Sequence, residues 1–148
     1  MAKFIYKMEN ILGIKYKMED QAKTAYGHAR RKLMKEEEKL LYLKNLLDEY
    51  VNTNKELRMK KLDIKKLREY TEAAESVKKD IKLQELAVKK AEQQVELARQ
   101  KLNLAMLERK THEKLKENAK EVFFMELASV ERKEVDELVS FKYNNPTN

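Results

Sequence analysis

Two runs of heptad-spaced apolar residues, out of phase with one another, limit what this chain can become more than any other feature in it. The first run has one row of Ile5, Leu12, Glu19, Tyr26, Leu33, Leu40, Leu47 and Asn54. Its second row is Met8, Lys15, Ala22, Ala29, Glu36, Leu43, Tyr50 and Leu57. Twelve of these sixteen are apolar, well above the 42% hydrophobic share of the chain as a whole. The second run is Leu67, Tyr70, Ala74, Val77, Ile81, Gln84, Val88, Ala91, Val95, Ala98, Leu102 and Ala105, with eleven of twelve apolar. Three-four spacing kept up over five or more heptads, with charged flanks, is the pattern of helices that pack along a narrow seam.

The two runs do not join. Continued past Leu57, the first would land on Lys61, Ile64, Arg68 and Thr71, whereas the second uses Leu67, Tyr70 and Ala74. Asp63 stands between them as a plausible N-cap, since its carboxylate can accept bonds from the open amides of a following helix. The chain thus reads as all-α, with two long helices forming an antiparallel coiled-coil hairpin in a single domain. The first helix spans about 3–55, the turn about 55–63 and the second helix about 64–142, with a frayed tail at 143–148. One straight rod is the alternative, because neither Gly13 and Gly27 nor Pro146 lies at the turn. So few turn-forming residues leave little room for a layered fold.

Folding back there pairs residues whose numbers sum to about 120. Leu40 then faces Ile81, Leu33 faces Val88, and Tyr26 lies against Ala91 and Val95. Roughly the last 25 residues extend past the start of the first arm. Among them Val122, Phe123, Phe124, Met125, Leu127 and Val130 crowd more than one face. They form either a docking surface or, if the turn lies later, a contact with Phe4, Ile5 and Tyr6. Leu83, Leu86, Leu97, Leu104 and Leu107 form a stripe off the seam, which is either flanking core or a surface for a partner.

Chemistry is sparse. No cysteine is present, which excludes disulfides and thiolate sites and fits a reducing compartment. His28 and His112 stand far apart, and no second histidine follows four residues after the His112-Glu113 pair, so a zinc-protease helix is excluded. Two isolated glycines cannot build a phosphate loop. The expectation is a non-enzyme with no cofactor and no metal. Apolar runs reach only four residues, as at Leu104–Leu107 and Val122–Met125, too short for a membrane span. The net charge is +7, and the excess is densest over 58–79, where eight Lys/Arg face four Asp/Glu. Such a cluster either steers the chain to an acidic surface or is a solvated loop. Mixing with acids elsewhere argues against nucleic acid as the partner.

In its opening Phe4-Ile5-Tyr6-Lys7-Met8-Glu9-Asn10-Ile11-Leu12 the sequence resembles the FliJ family, the coiled-coil component of the bacterial flagellar type III export apparatus. Leu67-Arg68-Glu69-Tyr70, Glu108-Arg109-Lys110 and Glu131-Arg132-Lys133-Glu134-Val135-Asp136-Glu137-Leu138 extend the likeness in order along the chain. The resemblance implies a cytoplasmic stalk of flagellar biogenesis, motility and chemotaxis, held peripherally at the membrane through the apparatus. Its partners would be the hexameric export ATPase (FliI-like), the export gate (FlhA-like) and substrate chaperones. By position, a gate-facing stretch maps to Ala73, Val77, Asp80 and Gln84, next to the basic Lys60, Lys61, Lys65, Lys66 and Arg68. An ATPase-facing end maps to Phe4, Tyr6, Met8, Val122, Phe123, Phe124 and Met125. A virulence-type secretion stalk (the YscO type) and a generic scaffold coiled coil are the rival readings.

Overall fold

Alanine, leucine, glutamate and lysine dominate the stretches that carry the two heptad runs, and these residues lose least on entering a helix. In the computed structural model, which describes residues 2–60 and 63–144, they form two helices. These are α1 (Glu9–Met59) and α2 (Ile64–Asn144). No strand occurs among the described residues, and the fold is an all-α antiparallel hairpin. Exposed pairs one turn apart add local support of about 0.2–0.5 kcal/mol each. Lys78–Glu75 at 3.3 Å and Lys114–Glu117 at 3.5 Å are examples.

Helix α2 opens as its sequence demands. The Asp63 carboxylate accepts bonds from the amides of Lys65 and Lys66 at 3.2 and 3.4 Å, and its carbonyl receives the amide of Leu67. Helix α1 runs on to Met59, with Arg58 in its last turn, so it reaches beyond residue 55. Lys61 and Leu62 of the expected turn lie outside the described residues, as do residues 145–148 of the expected tail. At the other end α1 begins at Glu9, not near residue 3, because residues 2–6 leave the helix. Burying aromatic surface there outweighs one more helical turn: Phe4 and Tyr6 stack at 6.4 Å, and Phe4 lies 5.6 Å from Phe123.

By its contacts the chain divides into two compact units, one from Gln21 to Asn103, the other from residues up to Asp20 together with those from Leu104 on. In the Gln21–Asn103 unit the seam follows the heptad rows. Ala74, Val77, Val88 and Ala91 of α2 are buried, and Leu33, Leu40, Leu43 and Leu47 of α1 are half-buried. Tyr50 meets Tyr70 at 6.0 Å, and the Gln84 side chain bonds the Glu36 carbonyl at 2.9 Å as well as its carboxylate. Those pairs lie on the register expected from the sequence. Polar Glu36 and Asn54 occupy seam positions too, Asn54 bonding Thr71 at 3.3 Å.

The other unit is built differently. Leu12 is buried, but so is Glu19, at 5% exposure. Three ion pairs, Lys15–Glu108, Glu19–Arg109 and Glu9–Lys116, cross between the helices here, and they reach further along α2 than a sum of 120 would place them. Two causes account for this. Side chains on both antiparallel helices lean toward their own N-termini, so long charged tips meet ahead of their Cα positions. In addition, the non-helical residues 2–6 advance up to about 3.3–3.6 Å per residue against 1.5 Å in a helix, which carries Phe4 as far as Phe123. The unpaired end of α2 is therefore shorter than the 25 residues expected: Leu127 is the last sheltered side chain, and residues 128–144 are all exposed.

Candidate partner-binding surfaces

Exposed charge and exposed apolar surface collect at different places. In the Gln21–Asn103 unit, Lys60, Lys65, Lys66 and Arg68 flank the turn and point to solvent. Lys61 lies outside the described residues. Beside them a shallow groove of about 370 Å³ is lined by Tyr50, Leu57, Lys66, Glu69, Tyr70 and Ala73. Of the mapped gate-facing positions, Asp80 is exposed and Ala73 half-buried. Val77 is 6% exposed, and the Gln84 amide is engaged by Glu36. These two serve the seam, so the surface left for a partner is Ala73, Asp80 and the basic side chains.

In the other unit, Phe4, Tyr6 and Phe123 are half-buried against one another, and Phe124 meets Phe123 edge-on at 5.4 Å. A groove of about 480 Å³ runs along this cluster, lined by Phe4, Ile5, Tyr6, Met8, Val122 and Phe123, with Lys3, Lys7 and Glu126 also beside it. Of the two readings of Phe123, packing on Phe4 is the one observed. Its neighbours stay open: Met8 is 50%, Phe124 49% and Met125 73% exposed, and Val122 is also exposed. The off-seam Leu83, Leu86, Leu97, Leu104 and Leu107 are exposed as well, so they are surface and not flanking core.

An ionic cluster that the sequence reading did not single out lies between these arms. The Arg109 guanidinium grips Glu19 through two nitrogens, at 2.6 and 3.4 Å, and reaches Glu113 at 3.2 Å. Tyr16 donates its hydroxyl to Glu113, Lys15 pairs with Glu108 at 3.0 Å, and Glu9 pairs with Lys116 at 2.8 Å. The Tyr16 hydroxyl bond, reinforced by Arg109, holds the Glu113 carboxyl below the usual carboxylate range. The same bond pushes the Tyr16 hydroxyl above its usual value. Carrying the second heptad run past Ala105 would have shown the signal: it continues through Arg109, His112, Lys116, Ala119 and Phe123, all half-buried. Polar residues at those positions face the polar Lys15 and Glu19 of the first run.

No group of three or more His, Asp or Glu side chains that could hold a metal ion occurs among the described residues, and His28 Nδ1 lies 3.1 Å from Arg31. No described helix is long and apolar enough to cross a membrane. Among known proteins, the family model described as the flagellar FliJ protein matches residues 4–148. No curated protein and no solved structure matches the chain at a significant level. With essentially the whole chain matched and its two long helices in the expected hairpin, the protein belongs to the flagellar FliJ family and is by that membership a component of the flagellar export apparatus.

Proposed function

We propose that this chain is a non-enzymatic stalk that engages the hexameric export ATPase through the end bearing the Phe4–Phe123 contact. A second surface, around the turn, meets the export gate and substrate chaperones. Family membership supports the setting. The observation that carries the ATPase assignment is the set of large apolar side chains left open beside the aromatic cluster, namely Met8, Val122, Phe124 and Met125. Exposed apolar groups gathered at one place mark docking surfaces. Burying such a side chain fully contributes about 1.5–3 kcal/mol, less what is spent on ordering the partners. On the other surface, the unmatched positive charge near the turn would steer the chain toward an acidic partner. Any attachment at the cytoplasmic face of the membrane then comes through these partners.

The test uses the cognate ATPase. Added wild-type chain should change steady-state ATP hydrolysis, while the chain alone hydrolyses none. A Phe124→Ala, Met125→Ala variant should keep the wild-type melting temperature, because both side chains are open, and lose the effect on hydrolysis. An equally stable variant with the full effect would remove this end from the assignment.

A further inference from the structure

Leu83 and Leu86 lie one turn apart on α2 and remain 66% and 62% exposed. Lys79, Lys82, Lys89 and Lys90 surround them, all exposed. At about 100° per residue these six fall within roughly one third of the helix circumference. Between Lys79 and Lys90 no carboxylate lies within that arc, Asp80 and Glu85 falling outside it, and Glu75, one turn earlier on the same stripe, is paired with Lys78. Near the C-terminal end of α2 the same geometry recurs with the opposite charge. Val135 and Leu138 repeat the apolar spacing at 56% and 62% exposure. The places of Lys79 and Lys82 are taken there by Glu131 and Glu134, both exposed, while Phe141 and Lys142 stand in the places of Lys89 and Lys90. Arg132 and Lys133 project from the other side of that helix.

We propose that the C-terminal end of α2 in one copy docks on the Lys79–Lys90 face of a second copy. Val135 and Leu138 lie against Leu83 and Leu86, while Glu131 and Glu134 lie beside two of the lysines. The match requires an antiparallel arrangement, which sets equivalent flanks of the two helices side by side and brings Glu131 level with Lys90 and Glu134 beside Lys89. A second copy is the favoured occupant because both halves of the contact are on this chain, complementary in spacing as well as in charge. Two helical turns bury far less than the roughly 1,200 Å² of a stable complex, so the contact is weak and concentration-dependent. It is also heterologous. Each pairing leaves one unused donor face and one unused acceptor face, so assemblies grow with concentration and do not stop at a closed dimer.

Sedimentation velocity over a concentration series tests this with the full chain. The average mass should rise with concentration at about 0.1 M salt and fall back to the monomer at about 1 M, where the screening length drops from roughly 10 to 3 Å. Two charge-reversed variants are then compared. One carries Lys79→Glu, Lys82→Glu, Lys89→Glu and Lys90→Glu, the other Glu131→Lys and Glu134→Lys. Each alone should remain monomeric, and an equimolar mixture should associate again, since every reversed face meets its reversed complement. Unchanged circular dichroism in both shows that the fold is intact, as exposed side chains imply. A wild-type chain that stays monomeric throughout overturns the proposal, and one that instead floats with phosphatidylglycerol vesicles gives the lysine face to a lipid surface. Association that survives either reversal overturns it equally.

Discussion

Arg109 spans the seam between a buried carboxylate, Glu19, and a half-buried one, Glu113. Removing one partner of such a cluster strands charge away from water, whereas replacing both partners with apolar groups can be neutral or stabilising. Arg109→Leu should therefore melt well below the wild type, and the double variant Glu19→Leu, Arg109→Leu should recover most or all of that loss. The pH dependence follows from the same residues. Glu113 has a lowered folded-state pKa, so its contribution is present above the ordinary carboxylate range and lost as the pH falls through its folded value. Tyr16 has a raised one, so its contribution is complete below the ordinary tyrosine range and lost as the pH rises through its folded value. Thermal melts of the wild type should consequently decline on both sides of a plateau lying between those ranges. A profile that stays flat in acid and alkali alike would detach these pKa shifts from stability.

Among the elements, the two helix starts differ in how far the chain announces them. Asp63 was recognisable because a carboxylate just ahead of a heptad run has one obvious use, and its bonds to Lys65 and Lys66 show that use. Asp63→Ala should cost about 1 kcal/mol, read as a lower midpoint in urea with an unchanged slope. No comparable signal marks Glu9. Ile5 and Met8 fit the first heptad run, yet Ile5 is 78% and Met8 50% exposed, because the chain ahead of Glu9 leaves the helix to lay Phe4 on Phe123. That choice depends on a residue more than a hundred positions away, which periodicity does not register. Lys15, Glu19 and Glu36 show the converse: spacing placed them in the seam although their chemistry argued against it. The mapped gate-facing positions mixed both kinds of information, and burial separates Val77 and Gln84, which hold the hairpin, from Ala73 and Asp80, which remain available.

At the scale of the whole molecule, uneven charge sets how it would approach its partners. Lys60, Lys65, Lys66 and Arg68 are exposed and away from the buried seam, so reversing all four to Glu should leave the helix content unchanged. Under the proposed assignment, the same reversal weakens binding to the export gate and reduces its dependence on salt, because exposed charges are the ones that salt screens. Titration of the gate protein at two salt concentrations reads both effects, and unaltered affinity would count against a gate-facing turn. The spacing of the cross-helix contacts along the chain has a separate, kinetic consequence. Asn54 and Thr71 are 17 residues apart, Glu36 and Gln84 are 48 apart, and Glu19 and Arg109 are 90 apart. Closing the last loop directly from the open chain costs about 1.5 kcal/mol more than closing the first, but almost nothing extra once the inner contacts are made. The hairpin is therefore a zipper that starts beside Asp63, and the Phe4–Phe123 end is the last part to close and the first to open.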